Sequence, residues 1–134
     1  MEHSVELMRD AKTIAVVGVS SDPSRPSNEV AKYLIDAGYT VYLVNPTEDE
    51  VFGMRVYDTV QELPEPVDIV DIFRRPEFVG PIVEDAIAAK AKAVWMQLRI
   101  VNEEAAAAAR DAGLDVVMDR CTKIEHAKLR AQTA

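Results

Sequence analysis

Arginine side chains are concentrated in the segments that follow apolar runs of the sequence. Five of the nine arginines stand in such segments, namely Arg25, Arg74, Arg75, Arg99 and Arg120. Guanidinium groups form paired hydrogen bonds to phosphate oxygens and stack on aromatic rings. If the apolar runs are parallel strands, these arginines share one edge of a sheet, and most acidic residues, such as Glu48 and Asp85, lie on helices or distal loops. The pattern indicates a compact polyanionic ligand.

A long polar loop, residues 18–27, follows the first apolar run and precedes a helical pattern. Gly18 allows a sharp turn, and free backbone amides at the start of a helix can bind phosphate. The dinucleotide fingerprint requires two further glycines, which this loop lacks. The loop therefore favours phosphate binding over NAD binding, with a plain surface turn as the alternative. Its candidate contacts are Gly18, Val19, Ser20, Arg25, Pro26 and Ser27.

Asn45 and Pro46 follow the second apolar run. An NAD-binding domain places an acidic residue here to bind the ribose hydroxyls. An asparagine can still form hydrogen bonds and does not repel a phosphorylated ribose. This is a second argument against NAD, although Asn-Pro is also common in simple turns.

Aromatic and polar side chains end the third and fourth apolar runs. Phe73, Arg74 and Arg75 place two guanidiniums beside an aromatic ring, where they could bind phosphate or stack on a purine, unless both arginines are simply solvated. Trp95 is at a position where core packing is the common explanation. Gln97 is harder to explain by packing and is a candidate ligand contact.

The sequence contains no convincing catalytic constellation. Ser20 and Ser21 are close to Asp22 but to no histidine, and a nucleophile needs a base and an orienting group. Cys121 is the one reactive candidate, because it precedes a predicted helix whose dipole would lower the pKa of its thiol. A buried, inert cysteine is the alternative.

Apolar runs alternating with helical patterns predict the framework that positions these residues. The runs are nearly continuous, as in strands covered on both faces. The predicted strands are residues 13–18, 40–44, 67–73, 93–98 and 114–118. The predicted helices are residues 5–11, 27–37, 81–90, 103–112 and 122–131, with a loop and a short helical turn between residues 46 and 66. We expect a three-layer Rossmann-like α/β fold with a five-stranded parallel sheet in the order 3-2-1-4-5, and a ligand where the order reverses.

Composition limits the classes of protein to which this chain can belong. Its 134 residues, 49% hydrophobic and 28% charged, predict one domain over residues 1–134. The net charge of -8 argues against nucleic-acid or anionic-membrane partners. A single cysteine, the lack of a bilayer-length apolar run and the lack of a signal-peptide pattern predict a cytoplasmic location.

As a set, these segments resemble a known family, the small bacterial CoA-binding domain proteins. Members are stand-alone relatives of the CoA-binding Rossmann-like domain in the succinyl-CoA synthetase alpha subunit. The matching segments follow one another in the family's order from about residue 11 to residue 126. They are residues 18–27, 38–39, 44–46, 70–76, 94–97 and 117–121.

The resemblance implies how CoA would lie across the strand ends. The pyrophosphate would contact the loop of residues 18–27, including Arg25, and the adenosine would be bordered by Asn45 and Pro46. Phe73 and Arg74 would lie near the nucleotide, and Trp95 and Gln97 would line the wall toward the pantetheine arm. Arg99 departs from the pattern, since a small residue, often glycine, is expected there.

We therefore expect a protein that binds CoA or an acyl-CoA without catalysis of its own. The alternatives are a nucleotide-dependent enzyme on the same scaffold, either an NAD(P) oxidoreductase or an acyl-CoA enzyme completed by a partner, and an interaction module with a vestigial cleft. A homodimer or a partner acyl-CoA enzyme is the expected assembly. We also hypothesise that Cys121 forms a mixed disulfide with the CoA thiol.

Overall fold

Runs of Val, Ile and Ala form the strands, because β-branched and small apolar side chains pack well on both faces of a covered sheet. In a computed structural model, described for residues 3–133, seven strands form one sheet. They are β1 (Thr13–Val17), β2 (Thr40–Val44), β3 (Glu50–Val51), β4 (Met54–Tyr57), β5 (Ile69–Ile72), β6 (Ala93–Met96) and β7 (Asp115–Val117). Their order is β3-β4-β2-β1-β5-β6-β7, and each neighbouring pair is parallel except β3 with β4.

Helices cover both faces of the sheet, as the three-layer prediction requires. Within residues 3–133 they are α1 (His3–Asp10), α2 (Pro26–Asp36), α3 (Val79–Ala88), α4 (Glu103–Asp111) and α5 (Thr122–Thr133). On one face, α3 and α4 contribute Val83 and Ala109 to a core cluster. On the other, α1 and α2 contribute Met8 and Leu34 to a second cluster, and α5 packs against both helices. No helix in this part of the chain is long and apolar enough to cross a membrane.

The predicted strand number and order are wrong. The third predicted strand, β5, pairs with β1 rather than β2, with Ile69 opposite Ile14. The place beside β2 belongs to β4, which lies in the segment predicted as a loop. β3 and β4 form a hairpin closed by Phe52 (φ 58°) and Gly53 (φ 73°), and two successive positive φ angles are typical of the type I′ turn that matches strand twist. The five predicted strands therefore have the order 2-1-3-4-5, with the hairpin added beside β2.

Helix starts follow the sequence signals in one case and depart from them in two. Asn102 caps α4, since its Oδ1 accepts a hydrogen bond from the Ala105 backbone N–H at 2.9 Å. The spacing of Thr122 and Glu125 fits a capping box at the start of α5, but the Thr122 hydroxyl donates to Asp71 and the Glu125 carboxylate accepts from the Ser4 hydroxyl instead. α3 begins at Val79 rather than at residue 81, because a 3₁₀ turn precedes it.

The connections on the two sides of β1 create an opening at one edge of the sheet. The chain passes from β1 to β2 through α2 on one face, and from β5 to β6 through α3 on the other. β1 and β5 are neighbours, so the loops that follow them leave in opposite directions. A crevice opens at the carboxyl ends of these strands, which is where ligands bind in open α/β sheets.

The expected domain over residues 1–134 includes residues 1, 2 and 134, which lie outside the described part of the chain.

Candidate ligand-binding cleft

A cleft of about 540 Å³, here called the main cleft, lies on the α2 side of the strand ends. Its walls come from the β1–α2 loop, from α2 and from the segments after β5, β6 and β7. Because neighbouring strands are about 4.8 Å apart, the end of β6 lies roughly 10 Å from the end of β1. The predicted site residues that line this cleft are Gly18, Ser20, Arg25, Pro26, Ser27, Phe73 and Gln97, together with Cys121.

A second cavity of about 140 Å³ lies on the α3 side of the same strand ends. Two predicted site residues, Pro46 and Arg74, line it. Asp58 and Asp85 also contribute to its wall, which the sequence did not predict. Gly18 lines both openings, so the two cavities meet at the end of β1.

Gly18 allows the segments after β1 and β5 to lie close together, because no larger residue fits at its position. Its φ of +91° lies in the left-handed region, which favours glycine. A Cβ atom at this residue would lie 2.9 Å from the backbone oxygen of Phe73 and 3.0 Å from Cδ of Arg74. The chain after β5 therefore approaches the chain after β1 as closely as the backbone permits.

The β1–α2 loop is built in advance of any ligand by short-range hydrogen bonds. The Ser20 backbone N–H donates to Ser27 Oγ at 3.1 Å, and Asn28 Nδ2 donates to the Ser20 oxygen at 2.8 Å. Arg25 is the N-cap residue of α2, with Pro26 in the first turn. Within residues 3–133, the backbone N–H of Ser27, which lines the main cleft, has no protein acceptor. Free amides at the start of a helix are suited to bind an anion.

Asn45 and Val19, two of the predicted site residues, are joined by a hydrogen bond that supports the β1–α2 loop. Asn45 Nδ2 donates to the Val19 oxygen at 2.8 Å, and Asn45 Oδ1 accepts from the Thr47 backbone N–H at 2.9 Å. Val19 as a whole is 0% exposed and lines neither cavity, so its role is to accept this hydrogen bond and to pack in the core. Asn45 therefore ties the segment after β2 to the loop after β1.

The expected separation of acidic residues from the arginine edge is wrong for Glu48 and Asp85, and Asp58 also lies at this edge. Glu48 accepts a hydrogen bond from the Ser21 backbone N–H at 2.7 Å. Asp58 and Asp85 line the second cavity beside Arg74. These carboxylates lie at the carboxyl edge because the β2–β3 loop, the end of β4 and α3 all reach it, and an anionic ligand must avoid them.

The adjacent arginines after β5 are ordered by an aromatic ring. The guanidinium carbons of Arg74 and Arg75 lie 4.7 and 5.5 Å from the ring centroid of Phe78. Arg74 is half-buried and lines the second cavity, whereas Arg75 is exposed and lines neither cavity. Arg120 is likewise exposed and donates to the Asp119 carbonyl oxygen at 2.8 Å. Of the five arginines, three therefore line the cavities: Arg25, Arg74 and Arg99.

Trp95 is buried beneath the main cleft and does not line it. The resemblance had implied that Trp95 lines the wall toward the pantetheine arm, and this is corrected. Its side chain is 0% exposed and belongs to the core on the α2 face. Its Nε1 donates to the Arg120 backbone oxygen at 2.9 Å. Trp95 lies within β6, whose side chains are covered on both faces, whereas Gln97 follows the strand.

Gln97 forms part of the main cleft over a buried polar network. Its Nε2 donates to Asp71 Oδ1 at 2.5 Å and to Thr122 Oγ1 at 2.9 Å. The Thr122 hydroxyl in turn donates to Asp71 Oδ2 at 2.9 Å. Both amide hydrogens of Gln97 thus have protein acceptors. Its Oε1 accepts no hydrogen bond from the protein within residues 3–133. Every buried side-chain oxygen in that range has a partner, so Oε1 must be exposed to the cleft, where it can accept from an N–H group of a ligand.

Asp71 is the strongly perturbed acid of this network. Burial raises the pKa of its carboxyl to about 7, although the hydrogen bonds from Gln97 and Thr122 oppose the rise. Asp71 lies inside an apolar strand, where its carboxyl oxygens accept hydrogen bonds from Gln97 and Thr122. Thr122 was not predicted to take part, because its sequence context suggested a helix cap.

Cys121 lies in the wall of the main cleft and is 9% exposed. Burial raises the pKa of its thiol, although hydrogen bonds from the Ile124 and Lys123 backbone N–H groups oppose that rise. The start of α5 does lower the pKa through these backbone N–H groups, as expected, but burial outweighs them and the net shift is upward. The thiol is less readily ionised than an exposed cysteine.

A parallel Rossmann-like sheet, a glycine turn after β1 and a cleft where the strand order reverses define a nucleotide-type ligand-binding domain. The chain belongs to the CoA binding domain family, whose model matches residues 12–127. The family resemblance seen in the sequence is thereby confirmed.

Known relatives are similar to the chain over different lengths. The uncharacterized protein YneT of Bacillus subtilis is 41% identical over 122 residues, covering 91% of this chain and 90% of that protein. A solved structure of a hypothetical protein from Pyrococcus horikoshii OT3 has 42% identity and a TM-score of 0.92, covering 95% of this chain and 89% of that one. The acetate–CoA ligase (ADP-forming) II subunit alpha of Pyrococcus furiosus is 43% identical over 67 residues, which are 49% of this chain and 15% of that subunit.

Proposed function

We propose that this protein binds CoA or an acyl-CoA at the carboxyl ends of its strands, without catalysis of its own. One observation carries the proposal: a single cleft joins the free Ser27 amide and Arg25 at the start of α2 to Gln97 after β6, in a member of the CoA binding domain family. A cytoplasmic location follows from the sequence argument on cysteine use.

The β1–α2 loop supplies the groups that the pyrophosphate requires. The Ser27 amide has no protein acceptor within residues 3–133, and both Ser27 and Arg25 line the main cleft. Amide and guanidinium donors directed at one anion are suited to a diphosphate. The pyrophosphate therefore lies over the start of α2.

The two ends of CoA then fall on opposite sides of the pyrophosphate. The adenosine lies toward the second cavity, which Pro46 and Arg74 line and which Asn45 borders through its loop. The pantetheine arm runs along Phe73 toward Gln97 in the main cleft. The arm contains two amide N–H groups, and Gln97 Oε1 is placed to accept one of them.

Calorimetric titration with CoA, dephospho-CoA, NAD and NADP tests the proposal. We expect CoA to bind most tightly and dephospho-CoA more weakly, because it lacks the 3′-phosphate. Tighter binding of NAD than of CoA would contradict the proposal and favour the oxidoreductase alternative. No binding of any of the four would favour an interaction module with a vestigial cleft.

The partial match to a CoA ligase subunit supports a second candidate function, that of an acyl-CoA enzyme completed by a partner chain. In that case this chain would supply the CoA site and the partner the reacting groups. Co-purification of tagged protein from its natural host, followed by an acyl-CoA ligase assay on the complex, distinguishes this from a lone binding protein or a homodimer.

Cys121 offers a covalent extension of the same site. Its thiolate would attack CoA disulfide, forming a protein–CoA disulfide and releasing one CoA thiolate. Because burial raises the pKa of the thiol, the reaction is expected to be slow at pH 7 and faster at pH 9. Mass spectrometry after incubation with CoA disulfide checks this, with Cys121→Ser as control. Absence of an adduct at both pH values, with CoA demonstrably bound, would contradict it.

A further inference from the structure

Three polar side chains at the base of the main cleft form a hydrogen-bonded cluster with a fixed direction. Asp71 and Thr122 are fully buried, and Gln97 is 4% exposed. The carboxylate of Asp71 accepts two donors, Oδ1 from Gln97 Nε2 and Oδ2 from the Thr122 hydroxyl. The Thr122 oxygen in turn accepts the second amide hydrogen of Gln97. The cluster therefore joins β5 to the segment after β6 and to the start of α5.

This cluster allows the Gln97 amide one orientation. A carboxylate can accept hydrogen bonds but cannot donate, and the single hydroxyl hydrogen of Thr122 is already donated to Asp71. If Oε1 and Nε2 exchanged places, Oε1 would lie against Asp71 Oδ1, which is 2.5 Å from Nε2. Two acceptors facing each other in a buried place are costly. Asp71 and Thr122 thus hold the amide nitrogen inward and Oε1 toward the main cleft.

The width of the main cleft indicates which N–H group of CoA reaches Gln97. The β1–α2 loop, where the pyrophosphate is proposed to bind, follows β1, and Gln97 follows β6, two strands away. Strand spacing separates these strand ends by roughly 10 Å. In an extended pantetheine arm the first amide nitrogen lies roughly 7 Å from the phosphorus, and a hydrogen bond adds about 3 Å. The second amide nitrogen, at roughly 12 Å, lies beyond Gln97.

We propose that Asp71 and Thr122 are positioning residues, which make the main cleft selective for a ligand with an N–H donor opposite Gln97. The donor is the pantetheine amide nearer the pyrophosphate. This inference rests on the proposed function and adds to it the group that the cleft recognises and the residues that fix the recognition. A ligand with an oxygen atom in place of that N–H directs its lone pairs at Oε1, and Gln97 cannot turn its amide nitrogen toward them.

Calorimetry at pH 8 with CoA and with a CoA analogue that has an ester oxygen in place of this N–H tests the inference. At this pH the Asp71 carboxyl is mostly ionised, because burial raises its pKa to about 7. We expect wild type to bind CoA at least about tenfold more tightly than the ester analogue, as for one hydrogen bond and its unpaired acceptor. Gln97→Met, which has no amide, should reduce this preference to about twofold.

Variants of the buried cluster separate a positioning role from a structural one. Asp71→Asn adds an N–H donor that Gln97 Oε1 can accept, so the amide can turn over and the preference should fall below about threefold. Thr122→Val removes the hydroxyl and should give an intermediate preference, whereas Thr122→Ser keeps the hydroxyl and should keep the wild-type value. Asp111→Asn, which removes an exposed carboxylate at the end of α4, is the control. Urea denaturation checks that each variant is folded.

The outcomes distinguish this inference from the function on which it rests. Equal binding of CoA and the ester analogue by wild type would overturn the inference and leave CoA binding intact. A preference that survives in both Asp71→Asn and Thr122→Val would also overturn it, because the cluster would then be structural alone. If Asp71→Asn does not fold, equal preferences in Thr122→Val and Thr122→Ser would have the same meaning. Failure of wild type to bind CoA would overturn the proposed function and the inference with it.

Discussion

The two cavities that meet at Gly18 differ in charge although they share a strand end. The main cleft has Arg25 and Arg99 in its wall and no carboxylate among its lining residues. The second cavity has Arg74 together with Asp58 and Asp85. Carboxylates repel phosphate and accept hydrogen bonds from N–H and O–H donors. The main cleft therefore suits phosphates, and the second cavity suits a neutral ring or sugar. The edge of the sheet that the sequence predicted to be uniformly rich in arginine thus contains two sites that differ in charge.

The largest effect is expected at Gly18, the residue common to both cavities. Gly18→Ala forces the Phe73 backbone and the Arg74 side chain apart, so both openings change shape. We expect CoA affinity to fall by at least about 30-fold and the free energy of unfolding to fall by roughly 1 to 3 kcal/mol. Calorimetry and urea denaturation measure the two quantities.

Gly113→Ala is the matched control for this prediction. Gly113 has a similar φ of +89°, but a Cβ atom there would meet nothing within 4 Å. It should lose stability through backbone strain alone and keep CoA affinity. If Gly18→Ala bound CoA as tightly as Gly113→Ala, the close approach at Gly18 would not shape the site.

The buried network under the main cleft predicts a pH-dependent stability. Burial raises the pKa of Asp71 from its ordinary value of 3.8 to about 7 in the folded protein. The folded state therefore binds more protons than the unfolded state between about pH 4 and 7, and stability falls as pH rises through that window. Asp71→Asn removes this titration while keeping a side chain of the same shape.

Urea denaturation of wild type and Asp71→Asn between pH 5.5 and 8.5 measures the effect. The stability of Asp71→Asn relative to wild type should increase by on the order of 1 kcal/mol per pH unit up to about pH 7 and then level off. A constant difference across this range would contradict the prediction. Asp111→Asn, which removes an exposed carboxylate at the end of α4, serves as the control.

Substitution of Arg25 tests whether the main cleft binds the phosphates of CoA. It is exposed and lines the main cleft beside the free Ser27 amide at the start of α2. Arg25→Ala should weaken CoA binding by roughly 1.5 to 3 kcal/mol if its guanidinium makes charge-assisted hydrogen bonds to the pyrophosphate. Arg110→Ala should bind as wild type does. A loss below about 0.5 kcal/mol would make Arg25 an ordinary solvated arginine.

Much of the framework and of the phosphate loop was predictable, because both depend on local signals. Continuous Val and Ile runs identify covered strands, and a glycine followed by a polar loop identifies the turn after β1. The β3–β4 hairpin was missed because its strands are two and four residues long. Its one signal was the Phe52-Gly53 pair between short apolar stretches.

The contacts within the site were less predictable, because they join residues distant in sequence. Asp71 lies 26 residues from Gln97 and 51 from Thr122, and only the pairing of β5 with β6 and the start of α5 brings them together. The burial of Trp95 depends on its packing with α2 in one core cluster and on its hydrogen bond to the Arg120 oxygen, neither of which the single sequence reveals. Asp58 and Asp85 reach the second cavity through β4 and α3, and β4 was not predicted as a strand.

Substitution of Arg74 is expected to change CoA affinity least, and it tests most directly whether the two cavities differ in charge. Its guanidinium is already oriented by the Phe78 ring, and its favourable field at the second cavity is offset by Asp58 and Asp85. Arg74→Ala should therefore cost less than Arg25→Ala, below about 1 kcal/mol of CoA binding, and Asp85→Asn should tighten CoA by a similar amount. Calorimetry with CoA and dephospho-CoA measures both. A loss as large as that of Arg25→Ala, seen with CoA but not with dephospho-CoA, would instead place the 3′-phosphate on Arg74 and make the second cavity a phosphate site despite its two carboxylates.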